Sequence, residues 1–189
     1  MPVGVRNVLV TVVIAGVAVF GATVVQAPTA AWSSLLVATF YFLTLALGAI
    51  AFLALTCVTK AGWSSVVKRV PEAMSTFLPV GAGLTLTLLA GVHSLYHWSH
   101  HDAVAADPIL SAKAAYLNIP FFAGRMVVVL GLWLLFGWLF RRNSLRQDAD
   151  ASTIHTKRNV ALAAGYLFLF AFTFSVAGID WLMSLEPHW

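Results

Sequence analysis

Charge is what this sequence has least of. Only 10% of its 189 residues are Asp, Glu, Lys or Arg, and none of those lies between Asn7 and Thr59. Soluble domains carry about 25% charged residues, so a soluble core is excluded. The chain belongs instead with the polytopic helical membrane proteins, in which apolar runs of roughly 20 residues each cross the bilayer. Cysteine is scarcer still, with Cys57 standing alone. One thiol cannot hold an iron–sulfur cluster or a structural zinc, and there is no Cys-x-x-Cys-His for covalent haem. Cys57, at the end of an apolar run, reads as a small packing residue. Any redox metal has to come from another chain. The formal charge of +4 is then no nucleic-acid signal, because the basic residues are distributed by the membrane.

What is present is 60% hydrophobic and falls into five runs, at about 8–25, 35–58, 77–96, 119–140 and 160–182. They predict an all-α transmembrane bundle, one domain over 1–189. The first run is longer than the apolar stretch of about 7–15 residues in a signal peptide, so it reads as a retained helix. Pro28 with Gln26, Thr29, Ser33 and Ser34 predicts a tight turn. Trp63 suits the headgroup level. Residues 98–118 read as a polar loop and 141–158 as a basic one. Glu186-Pro187 is expected to end the last helix, because proline pushes its predecessor out of helical geometry. Arg6, Lys60, Lys68, Arg69, Arg141, Arg142, Arg146, Lys157 and Arg158 alternate with ends that hold only Lys113. The excess of Lys and Arg marks the cytoplasmic side, which predicts a cytoplasmic N-terminus and an outward histidine-rich loop.

That loop begins in Gly91-Val-His-Ser-Leu-Tyr-His-Trp-Ser-His-His-Asp102, which holds four of the six histidines. On a helix these spacings put His93, His97, His100 and His101 on one face. Gly83, Thr87 and Gly91 then lie on roughly the opposite face, where small residues let another helix approach. Arg125 lies about 9 Å into the fourth run and Asp180 about 30 Å along the fifth, counted at 1.5 Å per residue. Both reach the level of His93 in the outer half of the membrane.

Haem ligation within the chain is disfavoured, because the intramembrane histidines sit on one span and cannot lie trans across an iron. His93 with His97 has i, i+4 metal-ligand spacing, but a closed site needs four ligands and the others are lacking. His100 and His101 read as a solvated helix end, and Glu186 as solvated. An intramembrane charge normally faces protein or a water-filled cavity. Arg125 and Asp180 are thus either a structural pair or, with His93 and His97, a proton-exchanging site. A quinol releases two protons on oxidation, and histidine and carboxylate are suited to take them. The expectation is that His93, Arg125 and Asp180 face one another or a shared cavity.

Several strings coincide with one family: Gly62-Trp-Ser64, His93-Ser-Leu-Tyr-His-Trp-Ser-His100, Tyr116-Leu-Asn-Ile-Pro-Phe-Phe122, Arg142-Asn-Ser-Leu-Arg-Gln-Asp148 and Asp180-Trp-Leu-Met-Ser-Leu-Glu-Pro-His-Trp189. From Gly62 onward the chain resembles the NrfD-like membrane subunits of alternative complex III, the bacterial quinol:cytochrome c oxidoreductase. It is most similar to the second, quinone-binding one of that complex's two large membrane subunits. The resemblance implies a multi-pass subunit of the bacterial inner membrane that binds no haem or metal itself. It also implies quinol or quinone as possible substrate, and multihaem cytochrome c, iron–sulfur and other membrane subunits as partners. Family members carry further spans after the Glu-Pro-His-Trp motif, so the resemblance implies an N-terminal half. From the residues alone, a small proton or solute transporter and a purely structural anchor stay open beside it.

Overall fold

The helices run well past the apolar runs that announce them. The computed structural model describes residues 2–149 and 153–188, and the side chains of Asp148, His155 and Lys157 lie outside what it describes. Five helical stretches are long and apolar enough to cross a membrane: Val3–Gln26, Pro28–Val58, Arg69–Leu95, Ile119–Gln147 and Arg158–Leu185. The described residues contain no strand.

Helix α1 (Val3–Gln26) and α2 (Pro28–Val58) are separated only by Ala27, at φ −147° and ψ 72°. The expected tight turn around Pro28 is therefore a single residue. Proline lacks an N–H and has its φ fixed near the helical value, so it serves as the first residue of α2 instead of interrupting it. Phe20 and Trp32 meet edge-on across this joint, with ring centroids 5.4 Å apart. No residue of α1 is buried.

Helix α2 is the centre of the bundle, packing against α1, α4 (Arg69–Ser75), α5 (Leu78–Thr87) and α10 (Thr153–Trp181). Its inward stripe is Leu36, Leu43, Leu47, Ile50 and Ala54, spaced by whole turns and buried to the last few per cent. Facing stripes come from α9 (Ile119–Ala149), with Phe122, Met126, Leu130, Trp133 and Phe140, and from α10 (Thr153–Trp181), with Ala163, Tyr166, Ala177 and Trp181. Lipid is as apolar as these side chains, so fit and interhelical hydrogen bonds decide the packing. Two such bonds are Trp133 Nε1–H to Thr173 Oγ1 at 2.9 Å and the Tyr166 hydroxyl to the Leu47 carbonyl at 3.4 Å.

The two presumed loops are largely helical. Residues 101–113 form α7 (His101–Ala106) and α8 (Pro108–Lys113), following α3 (Ser64–Val67), α4 (Arg69–Ser75), α5 (Leu78–Thr87) and α6 (Val92–Leu95) in the chain. Asp107 caps α8, its Oδ1 accepting from Ile109 N–H at 2.8 Å. The basic segment 141–149 continues α9, and 153–159 opens α10. It has no glycine or proline, and Arg, Leu and Gln are good helix formers. At the far end α10 stops at Trp181, before Glu186-Pro187, and gives way to a 3₁₀ turn over Met183–Leu185.

Candidate functional site

Arg125 and Asp180 come together, as one of the two readings of the sequence had them. Arg125 Nε–H donates to Asp180 Oδ2 at 2.7 Å and an Nη2–H to Oδ1 at 3.0 Å, while Nη1–H reaches the Tyr116 carbonyl at 3.1 Å. The Asp180 side chain is 2% exposed and that of Arg125 12%. This planar two-point grip is the strongest form of the pair. The guanidinium also lies 3.8 Å from the centre of the Tyr116 ring and 4.2 Å from that of Phe121, two cation–π contacts with rings set at right angles to each other. Burial first, and the neighbouring Asp180 carboxylate second, push the Tyr116 phenol above its ordinary range.

His93 does not join them. Among the described residues no hydrogen bond or ion pair links it to Arg125 or Asp180; it is exposed, as are His97, His100 and His101. The expected shared face fails because the helix ends. After a 3₁₀ turn over Leu88–Gly91 and the short α6, Tyr96 adopts extended geometry (φ −112°, ψ 116°) and the chain folds back through a second 3₁₀ turn at His97–Ser99. The place beside Asp180 assigned to an imidazole is occupied by Tyr96, 1% exposed, whose hydroxyl donates to the Trp181 carbonyl at 3.1 Å. The signal was the Gly91 position. A Cβ there would lie 2.2 Å from the Trp32 ring, so this glycine lets α2 come close. The rest of the proposed small-residue face is not a seam within the chain: Gly83 has nothing within 4 Å of its would-be Cβ, and the packed positions are Gly81, Ala82 and Thr85.

The fold-back fixes tautomers. Ser99 Oγ–H donates to the Tyr96 carbonyl at 2.7 Å, so its contact with His93 Nδ1 at 3.1 Å is a bond that Nδ1–H donates. His93 Nε2 is left as the basic nitrogen. His100 Nε2–H donates to the His93 carbonyl at 2.9 Å. Trp98 Nε1–H, between these histidines in sequence, is buried with no partner; its ring packs on Tyr96 and Phe122 at 5.3 Å.

Glu186 is not merely solvated. His188 bridges two carboxylates, with Nδ1 2.8 Å from Glu186 Oε1 and Nε2 2.6 Å from Asp107 Oδ2, and Lys113 Nζ donates to the Pro187 carbonyl at 2.6 Å. Glu186 first and Asp107 second raise the His188 pKa, and His188 lowers both carboxylates. At the opposite, basic end Glu72 takes Lys68 at 3.5 Å, Arg69 at 2.7 Å and Ser144 Oγ–H at 2.5 Å, joining α4 to α9. Nothing in the spacing of these residues pointed to either cluster. Among the described residues no three His, Cys, Asp or Glu side chains form a group that could hold a metal ion. Comparison with protein-family profiles and with curated proteins finds no match for this chain. What is established is a multi-pass helical membrane protein by the length and composition of its helices, with a sealed Arg125–Asp180 pair beneath an exposed histidine end.

Proposed function

We propose that this chain is an integral membrane subunit of a respiratory quinol:electron-acceptor oxidoreductase in the bacterial inner membrane, with its N-terminus cytoplasmic and its histidine end outside. The observation that carries the reading is the Trp98 indole N–H, buried without a partner and flanked in sequence by exposed imidazoles. A buried polar group without a partner calls for an explanation. In this reading a quinol oxygen is the missing acceptor, reached when the side chains that cover Trp98 Nε1 move aside, and imidazole is the side chain suited to receive its proton near neutral pH. Oxidation of one quinol releases two electrons and two protons. In this reading the electrons pass to multihaem cytochrome c and iron–sulfur partners, and His93 Nε2 and His97 receive protons. Arg125 and Asp180 are not the exchanging groups, because each is already taken by the other. They hold α9 to α10 beneath the site.

The test is the assembled complex. Tagged protein purified from its native membrane should bring c-type haem and iron–sulfur partners with it. His93→Phe should leave assembly intact and lower quinol oxidation and outward proton release by about a hundredfold, the lower end for a lost proton acceptor. The sealed Arg125–Asp180 pair favours a second reading, a structural anchor. Normal turnover and proton release in both His93→Phe and His97→Phe would establish that reading and remove the first.

A further inference from the structure

The short helix α8 is tied at both ends to the segment that follows α10. At its start Asp107 makes two sets of contacts. Oδ1 caps the helix by accepting from Ile109 N–H at 2.8 Å, and Oδ2 lies 2.6 Å from His188 Nε2. At its last residue Lys113 Nζ donates to the Pro187 carbonyl at 2.6 Å. The His188 ring is engaged on its other side too, with Nδ1 2.8 Å from Glu186 Oε1. A neutral imidazole has a single N–H, so it donates to one carboxylate and turns a lone pair toward the other. Both contacts are hydrogen bonds only when the ring carries both protons. The tie therefore depends on protonation through its geometry. Among the described residues, the charged groups around it are Asp107 and Lys113 of α8, Glu186 of its own segment, and His97, which acts on Glu186 from the 3₁₀ turn at His97–Ser99.

Helix α8 packs on α7, and α7 packs on the 3₁₀ turn that carries Trp98. Ala103 and Val104 of α7 lie against the buried cluster to which Trp98 and Leu110 belong. No residue of α7 is itself buried, so α8 supplies the buried anchor, Leu110, as well as both ties. Elements with so few buried apolar contacts open locally at low free energy. We propose that α7 and α8 form a lid over the Trp98 indole N–H, fastened by the His188 imidazolium and released when that ring loses a proton. Glu186 first and Asp107 second raise the ring's pKa from 6.5, so the fastening is complete below 6.5 and is lost as pH rises through the raised value. Both carboxylates, lowered from 3.8 and 4.5, stay ionised across that window. The groups are exposed, so the fastening biases lid opening by a few-fold and does not lock it. Protons released on the outside by quinol oxidation would then close the lid over the site that released them. That consequence rests on the function proposed above; the lid itself does not.

Solvent exchange of the Trp98 indole N–H reports the lid directly. It is followed by NMR on the full chain in detergent and assigned by its loss in Trp98→Phe. Exchange chemistry itself varies with pH, so each variant is compared with the unaltered chain at the same pH. At about pH 5.5, one unit below the ordinary imidazole pKa, His188→Gln should speed exchange about threefold, the scale of an exposed ion pair. At about pH 9, above the imidazole range, the two should exchange alike, because the unaltered ring has already let go. Asp107→Asn keeps a side chain that caps a helix but loses the charge, and should behave as His188→Gln does. Lys113→Gln should speed exchange at both pH values, since its bond to Pro187 does not pass through the ring. Arg142→Gln, whose guanidinium lies over Trp138 at 4.8 Å at the opposite end of α9, should change nothing. No difference between His188→Gln and the unaltered chain in acid, the same difference at both pH values, or faster exchange of the α7 amides without the indole would each overturn the proposal. No quinol is present, so the outcome is independent of the turnover measured in His93→Phe.

Discussion

At the histidine end of the bundle the deepest ionisable groups are closed upon each other. Asp180 accepts two hydrogen bonds from Arg125, and the pair is walled by Tyr116 and Phe121. At the basic end Lys60, Lys68 and Arg69 stand around a cavity, with Lys60 exposed. The difference separates architecture from readiness to bind. A charge satisfied within the chain fixes helices relative to one another and has little left to offer a ligand. An exposed cation such as Lys60 at the rim of a cavity keeps that capacity.

Breaking the closed pair should have the largest effect. Asp180→Asn or Arg125→Gln leaves a charge in an apolar site and should cost about 3–5 kcal/mol of stability, read as unfolding in detergent. The double variant should cost less than the two singles added, since no unpaired charge remains. Lys60→Gln at the open end should change stability by no more than about 0.5 kcal/mol. Similar losses at both ends would erase the distinction between them.

A smaller effect is expected where backbone closeness, not charge, holds the histidine end. Gly91→Ala places a methyl 2.2 Å from the Trp32 ring and should cost about 1–3 kcal/mol by overpacking. Gly83→Ala meets nothing within 4 Å and should be neutral or slightly stabilising as a helix-favouring change. The reverse order would restore the small-residue face inferred from spacing.

The smallest effect concerns the His188 bridge. Its pKa is raised from 6.5, by Glu186 first and Asp107 second, so its contribution is complete below 6.5 and is lost as pH rises through the raised value. Asp107 and Glu186 are lowered from 3.8 and 4.5, so their share is complete above those values and is lost as pH falls through the lowered ones. The bridge is therefore closed in mildly acid to neutral solution and opens on the alkaline side. NMR titration of His188 from about pH 5 to about pH 9, the range in which imidazoles change charge, should give a midpoint above 6.5. A midpoint at or below 6.5 would show that the two carboxylates do not hold the ring.

The five spans were legible because a charge-free apolar run of membrane length has few other uses. Their ends were not. Hydropathy marks where lipid stops, whereas a helix stops where its backbone does, so Arg141–Gln147 stayed helical in spite of its charge and Pro28 opened a helix where a turn was expected. The Arg125–Asp180 pairing was legible from depth alone, because two opposite charges at one level in an apolar medium seek each other. The position of His93 was not. The i, i+4 argument holds only while the helix continues, and the extended residue at Tyr96 ended it. The His188 bridge and the Glu72 cluster join residues 81 and 72 positions apart in the chain, which no local pattern can reveal.

The pairing of Arg125 with Asp180 also sets an order of events during synthesis. The partners are 55 residues apart in the chain. At roughly 5–20 residues per second, Asp180 is made about 3–11 s after Arg125. Through that interval the fourth span carries an unmatched guanidinium, which the insertion machinery tolerates at about 2.5–3.5 kcal/mol. Closure of the pair therefore waits for the fifth span, and the two spans should leave the insertion channel together.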